Sequence, residues 1–460
     1  MSNANLLRMT YGVEPRSVAG ERVRTLVLGL GDTAQSVARW LSRQGETALF
    51  VDARPDADTQ AIHAALPDAC VMHGFENVDI SAFDQIIASP GIPDNTPLLE
   101  TARAAGVPVL SDIALFCREA VAPIVCVTGT NGKSTVVSLL REMCRHAGVD
   151  AAAGGNLAPP ALDLPMLDSD GVYLLELSSF QLQRTDNLVA HCACMLNISP
   201  DHLDWHGTFA HYKQAKERIY RHTAYAVVNA DEALPEHIDP DAQVLRFTLG
   251  VPKHALEFGR IEHDGQLWFA FGATPLMPAA DSGLRGEHNH SNVLAALALG
   301  SSFDLPMTAM LAAIREFAGL THRHQVVATH NEVVWINDSK ATNCAASLAS
   351  IGAVQTPVIV LLGGRGKGED IAAFANSLPA HVRHCVAYGE NAQTFADALG
   401  AANIAFNTAE HLDDAVACAQ RLASAGDTVL LAPAAASHDQ YANYAARGEH
   451  FVALVEAISS

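Results

Sequence analysis

The segment TGTNGKST, Thr128–Thr135, places a lysine and two hydroxyl side chains directly behind two glycines. It follows a short apolar run, so the pattern predicts a strand that turns directly into a helix. It has the Gly-Lys-Ser ending of a P-loop, although the first glycine of a standard P-loop would fall at Val127. In such a loop backbone amides face a triphosphate, Lys133 reaches its terminal oxygens, and Ser134 or Thr135 approaches Mg²⁺. The segment therefore predicts a triphosphate site, and the alternative is an ordinary strand-turn-helix with an exposed lysine.

A second glycine-rich turn, GLGDTA at Gly29–Ala34, follows a predicted strand and opens a predicted helix, Gln35–Leu41. It fits the permissive Gly-x-Gly-x-x-Ala form of the dinucleotide-binding fingerprint, in which a helix N-terminus favours a phosphate. Asp52 ends the next predicted strand, where an acidic residue usually meets a ribose hydroxyl. The turn does not distinguish NAD from a UDP-sugar, so an NAD-dependent oxidoreductase is one open interpretation. A Rossmann-like fold that has lost its ligand site is another.

Acidic and imidazole side chains follow two further predicted strands. Glu176 ends a strand in LLELSSFQL, at the edge of a parallel sheet where ligands bind, and the alternative is an acid that stabilises a helix N-terminus. The later segment LNISPDHLDWHG supplies Asp201, His202, Asp204 and His206. The spacing of its histidines invites a zinc site, but the glutamate that a zinc protease needs after its first histidine is absent. One histidine at a magnesium site is the better interpretation, and surface histidines are the alternative.

The elements that must position these groups are indicated by short apolar runs that alternate with alanine- and leucine-rich helical stretches. The predicted strands lie within Arg24–Gly31, Thr47–Asp52, Asp84–Gly91, Ala122–Gly129, Val172–Ser179, Tyr225–Asp231, Pro357–Gly364 and Asp427–Ala434. Continuously apolar strands separated by helices indicate buried parallel sheets of the α/β class. Alternating segments within Leu249–Pro278 suggest antiparallel strands instead. Three blocks result, and the predicted domains are residues 1–111, 112–319 and 320–460.

The composition limits the class of protein and the kind of partner. The 460 residues carry 29 basic and 50 acidic side chains, a net charge of −21, and 49% hydrophobic residues exclude a disordered chain. The acidic surplus argues against nucleic acid as a partner, because a nucleic-acid footprint needs clustered lysine and arginine. Nine scattered cysteines without a Cys-x-x-Cys pair indicate a reducing compartment. Together with the lack of a secretion signal and of any apolar run of about 18 residues, they predict a cytoplasmic protein without a membrane span.

Taken in order, the motifs resemble those of the Mur ligases and their folylpolyglutamate synthase relatives, ATP-dependent ligases that join a carboxylate to an amino acid. The matching stretches are SDIALFCREAVAPIVCVTGTNGKST, ELSSFQL, GEHNHSNVLAALAL, HRH, WINDSKATN, GGRGKG and ASHDQYANYAARGEHF, and DHLD with YKQAKERI fits a further family pattern. The resemblance covers essentially the whole chain. It implies an α/β protein of three domains: a Rossmann-like N-terminal domain, a P-loop-type ATPase central domain and a Rossmann-like C-terminal domain.

The resemblance assigns ATP-binding, metal-binding and catalytic residues. The implied ATP-binding residues are Thr130, Asn131, Gly132, Lys133, Ser134, Thr135, Asn289, Arg323 and Asp338. Within that set Asn289 would contact the adenine, Arg323 the γ-phosphate and Asp338 the ribose. Two Mg²⁺ ions are implied, with Ser134, Glu176, His202 and Lys216 as the metal-binding set. Lys216, which alone suggests only a solvated helix face, would carry a carbamate derived from CO₂. The implied catalytic residues are Lys133, His202, Lys216, Arg323 and Lys340, the last of them at an acyl-phosphate.

The resemblance also assigns the binding of a UDP-linked substrate to the first block and the following strands. The implied residues are Gly31, Asp32, Thr33, Asp52, Arg54, Ser89, Pro90, Gly91, Asn156, Ser178 and Gln181. Asn156, Ser178 and Gln181 would face the muramoyl end of the substrate, and the others the uridine diphosphate.

The C-terminal motifs most closely resemble those of the family members that add D-glutamate to UDP-N-acetylmuramoyl-L-alanine (UDP-MurNAc-L-Ala). The implied D-glutamate residues are Thr342, Lys367, Ser437 and Tyr444. Tyr444 stands where an aromatic residue without a hydroxyl can occur, and His324 stands where an aromatic residue is common. The expected partners are these small substrates, and the expected state is a monomer. A sister Mur ligase or a folylpolyglutamate synthase shares the ATP site, whereas an NAD-dependent oxidoreductase leaves TGTNGKST, DHLD and NDSKAT without a role.

Overall fold

A computed structural model describes residues 25–76, 78–366 and 368–459, so the predicted D-glutamate residue Lys367 lies outside the described residues. The described part forms three β-sheets, with five, nine and six strands. It also divides into two compact units. The first comprises the described residues of Met1–Ile198, Ala210–Met277 and Val293–Ala313, and the second those of Ser199–Phe209, Pro278–Asn292 and Ile314–Ser460.

The first sheet is wholly parallel and has the strand order β3-β2-β1-β4-β5. Its strands are β1 (Thr25–Leu28), β2 (Ala48–Asp52), β3 (Cys70–His73), β4 (Gln85–Ala88) and β5 (Val109–Leu110). The helices of this region are α1 (Asp32–Gln44), α2 (Gln60–Ala65), α3 (Pro97–Ala104) and α4 (Asp112–Glu119). Val27 packs with apolar residues of α1, whereas Leu26 packs with those of α3, which explains why the run TLVL is buried on both faces. The order reverses between β1 and β4, and ligands of open α/β sheets bind at such a reversal.

The second sheet has the order β14-β13-β12-β11-β10-β9-β6-β8-β7. Its strands are β6 (Ile124–Thr128), β7 (Ala151–Gly155), β8 (Val172–Glu176), β9 (Ala190–Met195), β10 (Thr223–Asn229), β11 (Gln243–Phe247), β12 (Glu257–His263), β13 (Gln266–Phe271) and β14 (Thr274–Pro278). The helices that follow these strands are α5 (Lys133–Ala147), α6 (Ser179–Gln183), α7 (Leu203–His206), α8 (Phe209–Glu217), α9 (Glu287–Ser301) and α10 (Met307–Glu316). Strands β6 to β12 pair in parallel, and β12 pairs with β13 antiparallel. The antiparallel pairing predicted within Leu249–Pro278 is therefore confirmed for these two strands.

The third sheet has the order β15-β16-β20-β17-β18-β19, and only its β15–β16 pair is antiparallel among the described pairs. Its strands are β15 (Gln325–His330), β16 (Val333–Asn337), β17 (Val358–Gly363), β18 (Val382–Tyr388), β19 (Phe406–Ala409) and β20 (Thr428–Leu431). Its helices are α11 (Cys344–Gly352), α12 (Ile371–Asn376), α13 (Ala392–Ala401), α14 (Leu412–Leu422) and α15 (Tyr444–Ser459). Successive residues of β17, such as Ile359 and Val360, pack into separate apolar clusters on the two faces of the sheet.

Every predicted strand overlaps an observed strand, and the α/β class of parallel sheets is confirmed. Helix ends differ from the predictions. The helix predicted at Gln35–Leu41 is longer at both ends, because α1 comprises Asp32–Gln44. Helix α10 ends at Glu316. The carbonyl of Ile314 accepts a hydrogen bond from the amide of Gly283 instead of one from its own helix. No helix within the described ranges is long and apolar enough to cross a membrane.

Candidate active site

The predicted phosphate loop connects β6 to α5. Gly129 has a φ of 145° and Gly132, the N-cap of α5, has a φ of 86°, so both need glycine. Asn197 fixes the loop from the end of β9: its carbonyl accepts from the amide of Thr130 at 3.1 Å, and its side-chain oxygen accepts from the amide of Asn131 at 2.9 Å. Helix α5 begins at Lys133, just beyond the carboxyl end of β6. An N-terminus in this place suits a phosphate group.

Two lysines converge on the same carbonyl oxygen in this loop. The ammonium of Lys133 donates to the carbonyl of Gly129 at 2.8 Å, and the ammonium of Lys216, from α8, donates to it at 2.9 Å. The side chain of Lys216 is only 2% exposed and lies 4.8 Å from the ring centroid of Tyr212, whose hydroxyl is 3.1 Å from that of Thr130. Two like charges this close repel each other, and burial of one of them strengthens the repulsion. An anionic ligand, or an anionic modification of Lys216, relieves it.

A buried carboxylate lies at the end of β8, the strand beside β6. Glu176 is 3% exposed, and its two oxygens accept hydrogen bonds from Ser134 at 2.5 Å and from the side-chain amide of Asn156 at 2.7 Å. Because β6 and β8 are parallel neighbours, their carboxyl ends bring Ser134 and Glu176 together. Carboxylate and hydroxyl oxygens are the ligands that Mg²⁺ prefers, so this pair fits the predicted metal site. Asn156, predicted to face the muramoyl end, contacts Glu176.

His202, the remaining member of the predicted metal-binding set, lies in the second compact unit. It precedes the short helix α7 with a φ of 52°, and its amide donates to the carboxylate of Asp201 at 2.9 Å. The other oxygen of Asp201 accepts from the side chain of Asn343 at 3.2 Å, which ties the DHLD segment to the N-cap of α11. The described residues contain no group of three or more histidine, cysteine, aspartate or glutamate side chains arranged to hold a metal.

The predicted UDP-binding residues of the first sheet cluster at the reversal between β1 and β4. The oxygens of Asp52 accept from the amide of Leu30 at 3.1 Å and from the Arg54 guanidinium at 3.0 Å. These bonds from Arg54 hold the pKa of Asp52 below its ordinary value, against the opposing effect of burial. Asp52 therefore fastens the glycine-rich turn instead of presenting a fully open carboxylate. Gly31 is the N-cap of α1, and Asp32 and Thr33 follow it in the first turn.

Ser89, Pro90 and Gly91 form the turn after β4, which packs against the turn after β1. A Cβ atom added to Gly29 would lie 2.7 Å from the Ser89 hydroxyl. The other two residues predicted to contact the substrate, Ser178 and Gln181, lie beyond β8 and form the capping box of α6. Both are at least nine-tenths buried, so their part in substrate binding stays a prediction.

Asp338, just beyond the end of β16, and Arg323 are both predicted to contact ATP, and the charge of Arg323 acts on the Asp338 carboxyl. Burial raises the pKa of the Asp338 carboxyl from 3.8 to about 6, although a hydrogen bond from Ser350 and the positive charge of Arg323 oppose the shift. His324 contacts the same Ser350 hydroxyl at 2.9 Å through Nδ1, and its ring lies 6.3 Å from that of His288. Burial lowers the pKa of both histidines to about 4, so their rings are neutral at pH 7.

Asn289 lies next to His288 in the first turn of α9. Its side-chain Nδ2 donates to the carbonyl of Arg285 at 2.8 Å, and its side-chain oxygen accepts from Asn292 at 3.1 Å. The helix begins at Glu287.

Lys340 and Tyr444, to which the family resemblance assigns different tasks, lie in contact. The Lys340 ammonium is 3.9 Å from the ring centroid of Tyr444, at the start of α15, and forms a cation–π contact. Ser437 is 2% exposed and follows β20. Thr342 lies two residues beyond Lys340, and its amide donates to the Lys340 carbonyl at 2.8 Å.

Arg447 is a residue of this region that sequence reasoning missed. It is fully buried and donates to the Ser339 hydroxyl at 2.9 Å, to the Gly363 carbonyl at 3.3 Å and to the Ala435 carbonyl at 3.2 Å. These acceptors lie just beyond β16, at the end of β17 and just beyond β20, so one guanidinium holds together the three segments that lead to the predicted residues. The signal in the sequence was an arginine within the otherwise apolar start of α15.

Comparisons with known proteins agree with this arrangement. Three family models match: a "Mur ligase MurD-like, N-terminal domain" at residues 23–111, a "Mur ligase middle domain" at 127–300, and a "Mur ligase, glutamate ligase domain" at 322–435. A UDP-N-acetylmuramoylalanine–D-glutamate ligase of Chromohalobacter salexigens is 43% identical over 93% of this chain and 96% of its own. The enzyme of the same name from Pseudomonas aeruginosa is 42% identical over 96% and 99%.

Solved structures show the same fold at low identity. The UDP-N-acetylmuramate-alanine ligase of Thermotoga maritima matches with a TM-score of 0.60 and 17% identity over 95% of this chain and all of its own. The three family models match in chain order and all describe Mur ligase domains, and relatives above 40% identity carry the name of a Mur ligase. The chain belongs to the Mur ligase family.

Proposed function

We propose that this protein joins D-glutamate to UDP-MurNAc-L-Ala with the energy of ATP, a step of peptidoglycan synthesis. One observation carries the proposal: relatives of 40–43% identity that span nearly the whole chain bear the name of that activity. The three predicted domains, 1–111, 112–319 and 320–460, would bind the UDP-linked substrate, ATP and D-glutamate in turn.

In the proposed reaction ATP phosphorylates the terminal carboxylate of UDP-MurNAc-L-Ala. The amine of D-glutamate then attacks the acyl-phosphate, and the tetrahedral adduct collapses to an amide and phosphate while ADP is left from the first step. Lys133 and the first turn of α5 would bind the triphosphate, since both lie at the end of β6. Arg323 would neutralise the γ-phosphate and Lys340 the acyl-phosphate, where negative charge develops.

The metal ions and the carbamate belong to the proposal. Ser134, Glu176, His202 and a carbamylated Lys216 would hold two Mg²⁺ ions, which supply charge neutralisation to the phosphates when bound. The convergence of Lys133 and Lys216 on one carbonyl supports the carbamate, because it replaces a repelling cation by an anion. A carbamate nitrogen keeps one hydrogen, so Lys216 can still donate to Gly129.

D-glutamate would lie among Thr342, Lys367, Ser437 and Tyr444, close to Lys340. The contact between Lys340 and Tyr444 supports this, because it brings the amino-acid site next to the group proposed to steady the acyl-phosphate. We further propose that the protein acts as a monomer in the cytoplasm, where ATP and the nucleotide-linked substrate are available.

The test is product analysis with labelled amino acids. Purified protein, ATP, Mg²⁺ and UDP-MurNAc-L-Ala are incubated with D-glutamate, L-lysine or L-alanine, and the expected product is the D-glutamyl adduct with one ADP formed per amide. Incorporation of L-lysine or L-alanine instead would indicate a sister ligase. Tight NADH binding without ATP turnover would refute the ligase proposal, and Lys133→Ala serves as the inactive control.

A further inference from the structure

Arg184 is a buried arginine that directs its whole guanidinium at the turn after β4. Its side chain is 4% exposed, and its Nη1 donates to the Ser89 carbonyl at 3.0 Å. Its Nη2 donates to the Ile92 carbonyl and, at 2.8 Å, to the carboxylate of Asp94, which also accepts from Nε at 3.0 Å. The guanidinium therefore holds the peptide carbonyls on both sides of Pro90 and Gly91.

Arg184 itself is held by a different part of the chain. It follows α6, which begins after β8 of the second sheet, and its carbonyl accepts from the amide of Ser111 at 3.3 Å. The next residue, Thr185, places its hydroxyl 2.7 Å from that of Ser111. Arg184 is thus fixed at both ends, so its contacts transmit the position of the second sheet to a turn of the first.

The turn that Arg184 holds is placed for a ligand. It follows β4 at the reversal of strand order, directly beside the glycine-rich turn after β1. The Ser89 hydroxyl is buried there and has no hydrogen-bond partner among the described residues. A buried polar atom without a partner costs free energy unless a ligand satisfies it. The conformation of this turn therefore bears on ligand binding as well as on packing.

A second arginine binds the same carboxylate, and it allows the ion pair with Asp94 to be distinguished from the bonds that hold the turn. Arg103 also binds Asp94, through Nη2 at 2.6 Å, but its side chain is 45% exposed. It donates to the Asp94 carbonyl at 2.7 Å and lies on α3, beyond the turn. It shares the ion pair of Arg184 but not the bonds to Ser89 and Ile92, so it is a matched control.

We propose that Arg184 is a positioning residue for the UDP-linked substrate: it fixes the Ser89–Asp94 turn in the conformation that receives the uridine diphosphate. The inference rests on the proposed function, because it takes its ligand from there. Removal of Arg184 frees two carbonyls and lets the turn move, whereas the phosphate loop after β6 keeps all its hydrogen bonds. The expected effect is therefore selective for one substrate.

Isothermal titration of the full chain with UDP, and separately with a non-hydrolysable ATP analogue, tests the selectivity. Arg184→Gln is expected to raise the Kd for UDP about tenfold, the scale of one lost charge-assisted hydrogen bond. Its Kd for the ATP analogue is expected to stay unchanged, as are both Kd values of Arg103→Gln. In turnover assays Arg184→Gln should raise KM for UDP-MurNAc-L-Ala and leave KM for ATP unchanged.

The outcomes distinguish the inference from the function on which it rests. Wild-type protein that does not bind UDP would refute the proposed function and the ligand of this turn together. Wild-type binding with unchanged UDP affinity in Arg184→Gln would overturn the inference alone, as would an equal loss of both ligands. If Arg184→Gln does not fold, Arg184→Lys decides the matter, because lysine keeps the charge but cannot hold both carbonyls. A selective loss of UDP affinity supports the inference, and wild-type affinity overturns it.

Discussion

Replacing Asp338 by asparagine should stabilise the protein at neutral pH while it removes activity. Asp338 is partly buried, and burial raises its pKa from 3.8 to about 6. Between those two values the native state keeps a proton that the unfolded chain has already lost. The free energy of unfolding therefore falls as the pH rises through that window, and above it the protein carries the full cost of ionising this partly buried carboxylate.

The magnitude follows from the shift. About two pKa units correspond to about 3 kcal/mol at pH 7.5, and about half of that cost is already present at pH 5. Asparagine has the same shape and does not titrate. The free energy of unfolding of Asp338→Asn relative to wild type should therefore grow by about 1.5 kcal/mol from pH 5 to pH 7.5. The corresponding rise in the difference of melting temperatures is roughly 3–6 °C.

Calorimetric melting of both proteins at a series of pH values measures this difference. The neighbouring histidines, His288 and His324, are present in both proteins, so their titration largely cancels. Asp52→Asn is the control of opposite sign. Its hydrogen bonds from Arg54 lower the pKa of Asp52, so they stabilise the native state above pH 3.8 and lose that effect as the pH falls. The control should therefore be less stable than wild type at pH 7.5, with a smaller deficit under acid conditions.

A difference between Asp338→Asn and wild type that does not change with pH would refute the reasoning, because only a titrating carboxylate gives the slope. If the stability advantage of Asp338→Asn over wild type instead shrinks as the pH rises, the Arg323 charge outweighs burial in setting the pKa of Asp338. If the slope appears and activity is lost, Asp338 is a residue kept for ATP at a cost in stability.

Three further predictions concern the candidate active site. Lys216→Ala should abolish ligation, with partial rescue by a short carboxylate; unchanged activity would contradict the carbamate. Glu176→Gln should weaken Mg²⁺ dependence, measured as at least a tenfold rise in the Mg²⁺ concentration for half-maximal rate, whereas the isosteric amide still accepts from Ser134. Tyr444→Leu should lower kcat about three- to tenfold by removing the cation–π contact with Lys340, while Tyr444→Phe retains the rate; equal rates in both variants would contradict a role for the ring.

The sequence predicted the local elements that carry the candidate site residues, because each element is built from residues that are neighbours in the chain. The phosphate loop, the end of β8 and the segment after β16 each combine a strand, a turn and one or two chemical groups, and parallel sheets bring their carboxyl ends together. Glu176 and Ser134, which the family resemblance assigned to one metal-binding set, therefore lie in contact. Their role in binding a metal stays a prediction. The family resemblance contributed what no local pattern shows, including the role assigned to Lys216.

Helix ends and side-chain partners could not be predicted in the same way. The end of α10 depends on an amide from Gly283, which lies outside that helix. Ser178 and Gln181 satisfy each other in a capping box, and Asp52 fastens a turn, because buried polar groups take whatever partner the fold supplies. Lys367 lies outside the described residues, so its role stays a prediction.

The amino-acid sequence by itself determined the α/β class, the order of the strands along the chain and the loops that bear the chemistry, because apolar periodicity and glycine turns are local properties. The tertiary structure decided which distant residues hold those loops in place through hydrogen bonds. Arg184 and the turn after β4 are 90 to 95 residues apart, and Arg447 and Ser339 are 108 apart. Each arginine is a single residue among ordinary helical neighbours, and its acceptors are mostly carbonyls that every residue possesses. Only the folded chain shows which ones it reaches.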